Sequence, residues 1–118
     1  MIAARDFPFR HRPDPPRMRD ARDDGLRAMV GLIDRPDLTR AELCLAAWLG
    51  LAELQRRTVP GSFLSRVLAD WQVLVEKSVD TLPAAWIAET SRSLVDANVV
   101  EHVAGHLWER WCLDQLSN

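Results

Sequence analysis

The chain has 118 residues, 47% apolar and 27% charged, which is the size and make-up of one folded domain rather than of two domains or a disordered polymer. Its formal charge of -2 is unevenly spread: residues 1–22 hold six arginines and three aspartates, a net +3, and the remainder holds nine basic and fourteen acidic residues, a net -5. An acidic body opposes a phosphate backbone, so nucleic acid is the disfavoured partner, and the longest uncharged run, the ten residues Leu43–Ala52, is too short to span a bilayer.

Residues 1–18 contain four prolines, scattered arginines and little apolar periodicity, which predicts a flexible Arg/Pro-rich arm ahead of a single helical domain over 19–118. The opening MIAARDFPFRHRPDPPR has no apolar segment of the secretory kind, and its prolines and aspartates do not suit a transit peptide. Cys44 and Cys112 stand outside any CxxC pair, so reduced thiols in a cytoplasmic protein are expected, with neither a zinc site nor a disulfide framework.

From about Asp20 the pattern is helical. Leu26, Met29, Val30 and Ile33 recur at helical spacing and Pro36 ends the segment. Thr39-Arg40-Ala41-Glu42 then reads as a capping box opening a helix to about Arg57. Its charges, Glu42, Glu53, Arg56 and Arg57, keep to one narrow face, which predicts the central helix of the bundle, packed on several sides.

Thr58–Ser62 is a turn ending in an N-cap, followed by the clearest amphipathic stripe of the chain: Leu64, Val67, Leu68, Trp71, Leu74 and Val75. Asp80-Thr81-Leu82-Pro83 restarts a helix with proline in its first turn, and Ala84, Ile87, Ala88, Leu94 and Val95 are its expected inner stripe. Asn98-Val99-Val100-Glu101 opens the last helix, with Val100, Val103, Ala104, Leu107, Trp108 and Trp111 inward. About five helices without a strand pattern predict a small all-α bundle.

Motifs of catalysis are missing from this pattern. His102, His106 and Glu109 share one face of the last helix, and two imidazoles with a carboxylate suit a divalent metal. That face projects away from the Val100 and Trp111 stripe, however, and Val103 stands where HExxH needs glutamate. A solvated polar face is therefore expected, with no metal and no cofactor. There is no GxSxG, P-loop or GxGxxG, and no enzyme is expected. The alternative function is DNA binding: in ELCLAAWLGLAELQRRTV, Gly50 takes the place of the turn in a helix-turn-helix, with Arg56 and Arg57 on the second helix. Against it, Arg56 falls where an apolar residue is needed, and helical patterning continues across Gly50.

Five tryptophans remain. Trp48 and Trp71 lie within apolar stripes and Trp111 is centred on one, so all three are expected inside. Trp108 lies at the edge of its stripe. Trp86 projects opposite Ala84, Ala88 and Val95, alongside Leu82, and needs cover from elsewhere. Trp86, Leu82, Leu107 and Trp108 are accordingly the expected partner-binding residues, in a heteromeric contact or a homodimer seam.

A basic Arg/Pro arm on a small acidic helical body, without catalytic or DNA-reading motifs, resembles the quorum-sensing anti-activators of the QslA type. The resemblance covers the chain as a whole and transfers no single residue. It implies a non-enzymatic protein that binds a LuxR-type transcription regulator and blocks its dimerisation and promoter binding.

Overall fold

A computed structural model describes residue 16 and residues 35–117. Among these the fold is all-helical: α1 (Arg40–Arg56), α2 (Phe63–Val79), α3 (Ala84–Asp96) and α4 (Val99–Ser117), with no strand. The arm expected over 1–18 and the helix expected around Leu26–Ile33 lie outside the described residues. Among the described residues, no helix is long and apolar enough to cross a membrane.

Local chemistry accounts for each helix start. The Thr39 hydroxyl accepts from the Glu42 backbone N–H at 3.3 Å while the Glu42 carboxylate accepts from the Thr39 N–H at 2.8 Å, so the capping box is formed in both directions. Ser62 caps α2 by accepting from the Ser65 N–H at 3.2 Å. The turn ahead of it is made possible by Gly61, whose φ of +79° suits a residue without Cβ. Proline precedes α3 as its N-cap rather than entering its first turn. Asn98, at φ +59°, takes the left-handed conformation that ends α3 and turns the chain into α4.

The central position of α1 follows from its composition. Cys44, Leu45, Ala46, Ala47, Leu51 and Leu54 are buried around most of its circumference, and α2, α3 and α4 all pack against it. It runs unbroken through Gly50, so the turn required by the helix-turn-helix reading is not formed there. Gly50 instead lets α4 approach: a Cβ built on it would lie 3.3 Å from the Ala104 backbone nitrogen. Of the expected stripe of α2, Leu68 and Val75 are buried and Leu64, Trp71 and Leu74 pack against the core; Val67 is only half-buried, and Val79 is buried in addition. Trp48 is likewise half-buried against the core.

The phase of α3 corrects the sequence reading. Trp86, Thr90 and Leu94, four residues apart, face inward, while Ala84, Ala88 and Val95 are exposed. Alanines carry little apolar area, so orientation is decided by the large side chains, and turning Trp86 inward beside Ile87 and Leu94 removes far more surface from water than burying Ala84 and Ala88.

Candidate functional site

Helix α1 ends where the Thr58–Ser62 turn begins, and α4 crosses close by because Gly50 admits it. These elements leave an open groove of about 590 Å³. Leu54 comes from α1, Arg57 from its C-cap, Val59 from the turn, Leu64 from α2, and Glu101, Ala104, Gly105 and Trp108 from α4. The lining is mostly apolar, and its volume falls within the range of binding clefts, roughly 300–1,000 Å³. A Cβ on Gly105 would meet nothing within 4 Å, so this glycine widens the groove without being needed for packing.

Trp108 is 42% exposed and stacks on Trp111, with ring centroids 5.5 Å apart and planes inclined by 26°. The half-buried Trp111 thus backs an aromatic surface that Trp108 presents outward. Apolar exposure extends beyond the cleft: Val59 is 72% exposed, and Phe63, beside the capping Ser62, is also exposed.

One wall is charged. Arg57 donates to Glu101 of α4 at 2.6 Å and to Glu53 at 2.9 Å, and Arg56 also donates to Glu53. The bond to Glu101, followed by that to Glu53, raises the Arg57 pKa further, while Arg56 and then Arg57 hold the Glu53 carboxyl below its ordinary range. Both arginines that the helix-turn-helix reading assigned to DNA are thus engaged by carboxylates.

The four expected contact residues are divided by the structure. Trp108 lines the groove. Leu107 is buried beneath the same helix, and Leu82 and Trp86, each 7% exposed, belong to the core. Trp86 obtains its cover from its own fold, because α3 turns its Trp86–Thr90–Leu94 side to the core, keeping Leu94 and Ile87 of the expected stripe inward and leaving Ala84, Ala88 and Val95 outside. The groove residues Leu54, Val59 and Gly105 had gone unnoticed in the sequence. Their signal was a glycine inside a helix together with apolar Val59 and Phe63 flanking a turn.

Nucleophilic chemistry finds no support at Cys44. Burial pushes its thiol up to about 11, with Arg40 offsetting only part of the effect, so the thiolate is scarce at neutral pH. Cys112 is half-buried, and both thiols are free. Among the described residues, no three histidine, cysteine or acidic side chains gather to hold a metal ion.

No protein family, curated protein or solved structure compared with this chain matches it.

Proposed function

We propose that this chain is a non-enzymatic, cytoplasmic regulatory protein that inhibits a LuxR-type transcription regulator by direct contact, blocking its dimerisation and DNA binding. The observation that carries this reading is the open apolar groove walled by Trp108. Tryptophan is enriched among residues that dominate binding energy, and an apolar centre with a charged rim suits the self-complementary surface of a dimeric receptor. The Arg57 and Glu101 pair at the edge adds specificity, since a partner with mismatched charge is rejected there. The whole-chain resemblance to QslA-type anti-activators points the same way, and the inhibitor itself is read as a homodimer.

The test uses a purified LuxR-type receptor of the same organism, loaded with its signal molecule. The wild-type chain should dissociate receptor dimers in sedimentation and release promoter DNA in a gel-shift assay. Trp108→Ala and Gly105→Gln, which respectively remove and fill the groove surface, should do neither while keeping wild-type helix content. Unchanged receptor dimers and DNA binding in the presence of the wild type overturn the proposal. Sedimentation of the chain alone reads its own dimerisation.

A further inference from the structure

His102 and His106 lie one turn apart on α4, on a strip that does not line the groove. Their rings meet edge to face, centroids 4.7 Å apart at 68°, and the two Nε2 atoms are 3.1 Å apart. Those nitrogens are the metal-binding atoms of neutral imidazole, and here they converge from a continuous helix.

We propose that His102 and His106 chelate one late first-row divalent metal ion, of the class of Cu²⁺, Ni²⁺ and Zn²⁺, through their Nε2 atoms. With metal–nitrogen bonds of about 2.0–2.1 Å, nitrogens 3.1 Å apart subtend an angle of about 95–100° at the ion. That lies between the cis angle of square or octahedral coordination and the tetrahedral angle, so small ring rotations reach either. Imidazole suits these metals, and their intrinsic order places Cu²⁺ first. In the neutral pair one Nε2 carries the hydrogen shared across the 3.1 Å contact. When an ion binds, that ring carries its proton on Nδ1 instead, both Nε2 lone pairs go to the metal, and no net proton is released. The pair supplies two ligands, and exogenous ligands such as water supply the others. The site is independent of the partner-binding proposal.

Calorimetric titration of the full metal-free chain with NiCl₂ in a non-coordinating buffer tests it, with thermal unfolding alongside. Nickel avoids the thiol oxidation that copper would cause. One ion should bind per chain and raise Tm. His102→Ala and His106→Ala, each with unchanged helix content, should each weaken binding by at least about tenfold, because a tethered second ligand is lost. His11→Ala and Cys112→Ser should leave it intact. Absence of binding by the wild type, or affinity unaltered in the His102→Ala/His106→Ala double variant, overturns the proposal.

Discussion

Gly50 and Ala104 set the separation of α1 and α4: a Cβ added at Gly50 would come within 3.3 Å of the Ala104 nitrogen, which belongs to a helix backbone and cannot rotate away. Gly50→Val should therefore destabilise the protein by about 1–3 kcal/mol, the usual cost of overpacking. Gly105 has no such neighbour, so Gly105→Ala should stabilise by about 0.5–1 kcal/mol through helix propensity alone. Urea denaturation of the two variants checks the contrast, and equal effects would refute the close-approach argument.

Two tryptophans should behave in opposite ways. Trp86 is 7% exposed and packed in the core, so Trp86→Ala should cost about 3–5 kcal/mol by leaving a cavity. Trp108→Ala removes an exposed ring and its stack on Trp111, which should cost about 1 kcal/mol or less. Thermal melts compare them directly. A Trp86→Ala protein as stable as wild type would return that residue to the surface.

Thr90 is fully buried, and its hydroxyl has no hydrogen-bond partner among the described residues. Burying an unpaired hydroxyl costs free energy that a methyl group of similar shape does not. Thr90→Val should raise stability by about 1 kcal/mol in equilibrium denaturation. A loss of stability would mean that the hydroxyl is satisfied in solution.

Cys44 predicts a decline of stability in alkali. Its thiol is held protonated up to about 11, against 9.0 for the ordinary group, so the unfolded chain releases this proton first. Stability from this source is complete below pH 9 and is lost as pH rises through the folded-state value, by on the order of 2–3 kcal/mol. Lys77 is the only lysine and there is no tyrosine, which leaves few other titrations in that window. Denaturation midpoints at pH 8 and pH 11 should diverge for wild type and much less for Cys44→Ala. A thiol reagent at neutral pH should modify Cys112 well before Cys44.

The four described helices were legible because their signals are local. Thr39 and Glu42 satisfy each other within one turn, Ser62 caps its own helix, and Asn98 stops one helix and opens the next through its own backbone. The central place of α1 was legible too, since few polar residues remain to face water. Helix phase was legible only where large apolar residues agree, as along α2. In α3 the expected inner stripe was Ala84, Ile87, Ala88, Leu94 and Val95 with Trp86 opposite, and packing against α1 and α4 kept Ile87 and Leu94 inward but exchanged Ala84, Ala88 and Val95 for Trp86 and Thr90. The groove was the least legible feature. It arises from the crossing of α1 and α4 and from the turn that joins α1 to α2, so Leu54, Val59 and Gly105 share a wall although up to fifty residues separate them. Periodicity reports which residues leave water, whereas the shape of the surface left behind depends on how close two helices come, and here Gly50 decided that.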